Sequence, residues 1–288
     1  MPTARTVQLP SGTIEYRRLG PPDSPFPPVL FIHGLVVDGH LWDDVAELLT
    51  DAGYQCWLPT LPLGAHHIPW GPTADRSPQG AASLIREFIA EFDLGGATLV
   101  GSDTGGALCQ FALDHDPNLV ARVVLTNCDA FEEFPPQPFR LIFALLRQRP
   151  LLKPLVSGPL RVKALRHSPL GVGLLVTNPD PDYTDSIFDP LRRDPAIRDD
   201  FISFLSSIDR TELAAITPRL TRVDSPVSVV WGAADKAFRP SLGRRLAAVF
   251  PNSVSVAVPD SRTFVCLDQP QALAEAIVAI TARPVPAH

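Results

Sequence analysis

Two runs, "PVLFIHG" at 28–34 and "ATLVG" at 97–101, most constrain what this chain can become. Each is a continuous apolar stretch that stops at a glycine. A strand of that kind has no polar face to show to water, so both of its faces need cover. That is the situation of a parallel sheet with helices on either side. The stretches "YQCWLP", "ARVVLTN" and "PVSVVWG" (54–59, 121–127 and 226–232) read the same way, whereas "GTIEYRRLG" at 12–20 alternates like a hairpin strand. Helical spacing of apolar residues falls between them, at about 40–50, 78–92, 104–115, 240–250 and 270–282. The alternation predicts an α/β fold with a mostly parallel central sheet.

It breaks once. Between about 130 and 218 no buried strand is expected; "FRLIFALLRQ" and "DDFISFLSSI" show helical spacing, and prolines punctuate the rest. The expected organisation is a core at 1–129, a helical lid at 130–218, and the rest of the core at 219–288.

With 45% hydrophobic residues, 288 positions supply ample material for a core. The net charge of −6 argues against nucleic acid or an anionic membrane as the main partner, and no block of like charges stands out locally. The four cysteines, at 56, 109, 128 and 266, form no C-x-x-C pair. Buried free thiols in a reducing, cytoplasmic setting are the expectation. The N-terminus has no apolar signal-peptide core, and no apolar run reaches membrane-spanning length. No metal-ligand spacing or phosphate loop suggests a cofactor.

The chemistry concentrates at "LVGSDTGGALCQ", 99–110. A strand, the turn Gly101-Ser102-Asp103-Thr104-Gly105 and a helix follow one another. Such a strand–turn–helix holds its central residue in a strained, exposed position, and its neighbours must be small. The centre is Asp103; Ser102, one step off the tip, points elsewhere.

With this element order, the helical block and "FIHGLVVDGHLW" after an early strand, the chain resembles the α/β-hydrolase family over nearly its whole length. An aspartate at the turn resembles the haloalkane dehalogenase and epoxide hydrolase branches. The resemblance implies that Asp103 is the nucleophile, that the backbone N–H groups of Leu35 and Thr104 form an oxyanion hole, and that Asp235 in "VSVVWGAADKAF" is the acid. His33 then serves as a structural residue behind its turn. The histidine belongs in "VPDSRTFVCLDQP", but Thr263 stands in its place with Arg262 beside it. Only His288 lies farther along.

A threonine is far too weak a base to activate water near neutral pH, so an ester formed on Asp103 could be trapped. His66 and His67 are candidate substitutes, with His40 and His167 behind them. Arg262 could supply the missing positive charge by pairing with Asp235 or Asp103, or could be an ordinary solvated arginine. The insert holds no tryptophan and only Tyr183, so neither branch's usual leaving-group donors are supported. Three readings follow. The first is a hydrolase of a small apolar ester, epoxide or halide with an unusual base. The second is a lyase, isomerase or cyclase using Asp103 as general acid or base, and the third is an inactive ligand-binding protein. The family resemblance puts the hydrolase first; oligomeric state is not legible.

Overall fold

The computed structural model describes residues 3–169 and 171–285; His288 lies outside the described residues. Eight strands form one sheet: β1 (Arg5–Leu9), β2 (Gly12–Leu19), β3 (Val29–Ile32), β4 (Cys56–Thr60), β5 (Thr98–Asp103), β6 (Arg122–Cys128), β7 (Val227–Gly232) and β8 (Ser253–Val258). Their order across the sheet is β1-β2-β4-β3-β5-β6-β7-β8. β2 is antiparallel to both neighbours, and every pairing from β4 to β8 is parallel. This is the α/β-hydrolase fold.

The central strands are those read from their apolar runs. All four residues of β3 and all six of β7 are buried. The two edge strands, β1 and β8, were not anticipated. Each keeps most of its residues partly or fully exposed, so neither carries a continuous apolar signal. All four cysteines are free and buried, as a packed core accommodates a small apolar thiol.

Parallel strands place all their C-terminal ends on one edge, and ligand sites of open α/β sheets form outside that edge. The helical insert between β6 and β7 covers it. A buried carboxylate ties insert to core: Asp200, on the helix Pro195–Ser207, accepts from the Trp70 amide (2.7 Å) and from Arg76 Nε (2.6 Å). No described helix is long and apolar enough to cross a membrane.

Candidate active site

β5 ends at Asp103, and the helix Thr104–His115 begins at the next residue. The reversal forces Asp103 to φ +53° and ψ −134°, a left-handed conformation that costs a non-glycine residue of order 1–3 kcal/mol. Close backbone approach makes the reversal possible. A Cβ on Gly105 would lie 2.4 Å from the carbonyl oxygens of both Ile32 and His33, and one on Gly34 would lie 2.0 Å from Asp103 Oδ2. Gly34 is therefore a glycine because the carboxyl occupies the space a side chain would need. Val36, in the same loop, also has a positive φ of 55°, an outlier for a β-branched residue.

The carboxyl is fixed by two amides: Leu35 N–H donates to Asp103 Oδ2 at 3.1 Å, and the Thr104 amide donates as well. Burial outweighs them, with the negative Asp235 adding to the effect, and lifts the Asp103 pKa to about 7.

Asp103 opens into a cavity of about 300 Å³ whose walls are almost wholly apolar, including Val36, Phe139, Phe143, Leu155, Phe188 and Phe264. The polar residues in its lining are Asp103, Thr104 and Asp129. Sequence reading passed over Asp129. It follows directly on β6, at the edge of the sheet where sites form, and that position was its signal. It is fully buried; Thr104 Oγ1 donates to its Oδ2 at 3.1 Å, and its Oδ1 has no partner. Burial, then the nearby Asp103 charge, raises the Asp129 pKa well above its ordinary value, which favours the protonated carboxyl.

Asp235 lies behind this cavity, not in its lining. Its Oδ1 accepts from the amides of Ala237 (2.7 Å) and Phe238 (3.0 Å), and its Oδ2 from Asn127 Nδ2 (2.6 Å) and Thr263 Oγ1 (2.9 Å). Burial raises its pKa against these four donors. Thr263, fully buried, thus spends its hydroxyl on Asp235.

Arg262 corrects the expectation attached to it. Neither Asp235 nor Asp103 is its partner. Its Nη1 donates to the carbonyls of Gly173 and Val176 (3.1 Å for the latter), because the insert backbone passes over this loop. The Phe264 amide donates to Leu175 O at 3.0 Å, and Asp268 accepts from the Thr177 amide at 2.7 Å.

Nor do the candidate histidines reach the cavity. His66 is buried 3.4 Å from Asp200 and accepts from the Gly64 amide, while His67 is exposed and meets Glu15. His40 pairs with Asp43, and His167 with Thr184. His33 Nε2 accepts from the Leu61 amide at 2.8 Å and Nδ1 faces Gly34 O, the arrangement of a neutral ring. Burial lowers its pKa to about 4. Ser102 Oγ is buried without a partner, off the cavity. Tyr183 donates to Asp38 and is absent from the lining. Among the described residues no cluster of three or more His, Cys, Asp or Glu side chains is arranged to hold a metal.

Comparison with known proteins agrees with this architecture. Haloalkane dehalogenase 2 of Mycobacterium bovis is 25% identical over 269 residues, covering 88% of this chain and 87% of its own length. The structure of a putative ancestral haloalkane dehalogenase, AncHLD2, superposes with a TM-score of 0.76 at 20% identity, over 97% of this chain and all of its own. A putative lipase of Acinetobacter baumannii AYE gives 0.77 at 19% identity, over 96% and 90% of the two chains. The sequence profile of the alpha/beta hydrolase fold matches residues 27–270, and the chain belongs to that family.

Proposed function

We propose that the protein is an enzyme that encloses a small, mostly apolar, uncharged substrate and moves a proton to or from it with the Asp103 carboxyl, in an isomerisation, elimination or cyclisation. One observation carries this reading. Asp103 shares its apolar cavity with a hydroxyl and a second carboxyl, and among the described residues its lining holds no imidazole. A carboxyl poised near pH 7 can both take and return a proton at neutral pH. A proton taken from one substrate atom and given back to another needs neither water nor a second carrier. Protonated Asp129, whose Oδ1 has no partner in the fold, would donate a hydrogen bond to a substrate oxygen as negative charge grows there. Two carboxyls facing a cavity without a cation would reject an anionic substrate.

A second reading rests on the Leu35 and Thr104 amides and on the likeness to haloalkane dehalogenases. Asp103 would attack an sp³ carbon, forming an alkyl ester and expelling halide or opening an epoxide. Water attacking that ester would place its developing oxyanion on the same two amides. With Thr263 in place of a base, the ester would persist.

Incubation in D₂O with neutral ketones, alkenes, haloalkanes and epoxides separates the two. The expected result is a rearranged, cyclised or eliminated organic product, absent with Asp103→Asn, that keeps the substrate's own hydrogen where the proton is handed back within the cavity, and no change in protein mass. A lasting, Asp103-dependent mass adduct would overturn proton transfer in favour of the ester. Ligand binding with neither outcome would make the protein a receptor.

A further inference from the structure

The overall charge of −6 hides a segment of the opposite sign. Residues 134–179 carry seven cations (Arg140, Arg147, Arg149, Lys153, Arg161, Lys163 and Arg166) and no aspartate or glutamate. The cations are spaced among apolar residues rather than run together, which is why no charge block shows in the sequence.

The same segment presents the most exposed large apolar side chains among the described residues: Leu141 (70% exposed), Leu145 (58%), Val162 (52%), Leu165 (51%) and Leu151 (48%). On the helix Phe139–Leu146, Leu141 and Leu145 stand one turn apart on the outer face, while Ile142, Phe143 and Leu146 line the cavity. The helix Arg149–Ser157 repeats the division, with Leu151 outside and Leu155 in the cavity wall. Leu145 is both largely exposed and part of the lining, so the cavity opens onto this face. Arg147, Lys153, Arg161 and Lys163 are exposed and make no ion pair among the described residues.

We infer that this outer face of the insert docks on an anionic lipid surface, with its leucines in the headgroup region and its free cations on lipid phosphates, so that the cavity mouth meets the bilayer. Exposed apolar residues interspersed, on helices that pack against one another, with cations that make no ion pair among the described residues are what an interfacial surface needs. Nucleic acid would use the cations but leave the leucines in water. A second copy pressed on the same face would set like charges together, because a twofold contact brings each patch against itself. The docking holds whichever chemistry Asp103 performs.

The test is sedimentation of the full chain with phosphatidylcholine vesicles, with and without about 30 mol% phosphatidylglycerol; anionic vesicles are expected to bind at least ~10-fold more tightly, and high salt to release the protein. Replacing Arg147, Lys153, Arg161 and Lys163 together by glutamine should cut that binding ~10-fold or more, and Leu141→Ser with Leu151→Ser and Val162→Ser should do likewise, with melting temperatures unchanged. Equal partition into neutral and anionic vesicles, or binding that survives both sets of substitutions, would overturn the proposal. So would a dimer that Leu141→Ser dissolves, since the face would then belong to a second copy.

Discussion

The turn around Asp103 and the loop around Thr263 both follow strands at one edge of the sheet, yet they are built on opposite terms. The turn bends Asp103 into a left-handed conformation and clears glycines around it so that one carboxyl reaches the cavity. Nothing comparable is presented by the loop. Thr263 is spent on Asp235, Arg262 on insert carbonyls and the Phe264 amide on Leu175. One segment stores strain to expose a group; the other uses up its polar atoms to fasten the insert. The difference teaches that a loop at the site's edge of the sheet can stay well packed and fully bonded while presenting no polar side chain to the cavity.

Substitution of Asp103 should break the comparison hardest. Asp103→Asn is expected to lower any turnover at least ~10³-fold, since the reacting group is gone. The same change should stabilise the fold, and the sign follows from the raised pKa. Between about pH 4 and 7 the unfolded chain ionises Asp103 while the folded chain keeps it protonated, so stability falls as pH rises through that window. Above it the penalty is constant, on the order of a few kcal/mol. Thermal melts should therefore show Asp103→Asn gaining at pH 8 and little near pH 4; equal gains at both would remove the buried charge as the cause. The wild-type rate should inflect near pH 7.

Gly34→Ala comes next. The new methyl would sit 2.0 Å from Asp103 Oδ2, so either the turn or the carboxyl must shift. Overpacking of this kind costs about 1–3 kcal/mol, and the displaced carboxyl should lose ~10²-fold in rate. Denaturant melts and kinetics check the two parts separately. An alanine with wild-type activity would mean that the position of Asp103 does not matter.

On the loop, Arg262→Ala should act on the insert rather than on chemistry. It strips a charged donor from the Gly173 and Val176 carbonyls, a loss of about 1–3 kcal/mol. Faster amide exchange across 171–177, with turnover within a few-fold of wild type, is the expected pattern. A collapse of activity with unchanged exchange would return Arg262 to the active site.

What could be read in advance divides along the same line. Buried strands announce themselves, because a run such as "VLFI" can be satisfied only between two covered faces; the edge strands Arg5–Leu9 and Ser253–Val258, mostly in partial or full contact with water, do not. The turn was legible from its glycines. Asp129 was not, since a single aspartate after a strand has no pattern of its own until the cavity shows what faces it. The reach of Arg262 to Gly173 spans 89 residues of chain, beyond any local signal. The cationic outer face was lost in the net charge, which averages a surface that the fold segregates.

The smallest predicted effect is the most informative about the loop. Thr263→Val keeps shape and volume while removing one of four donors from Asp235. Because Asn127 and two amides remain, the cost should be about 1 kcal/mol, and turnover should stay within about threefold of wild type. Removing a working catalytic group at this position would instead cost orders of magnitude. A hundredfold fall in rate with an unchanged melting temperature would thus place Thr263 in the machinery beside Asp103. A small loss of stability alone leaves the two segments as different as they look: one presents a carboxyl to the cavity, and the other holds the insert in place.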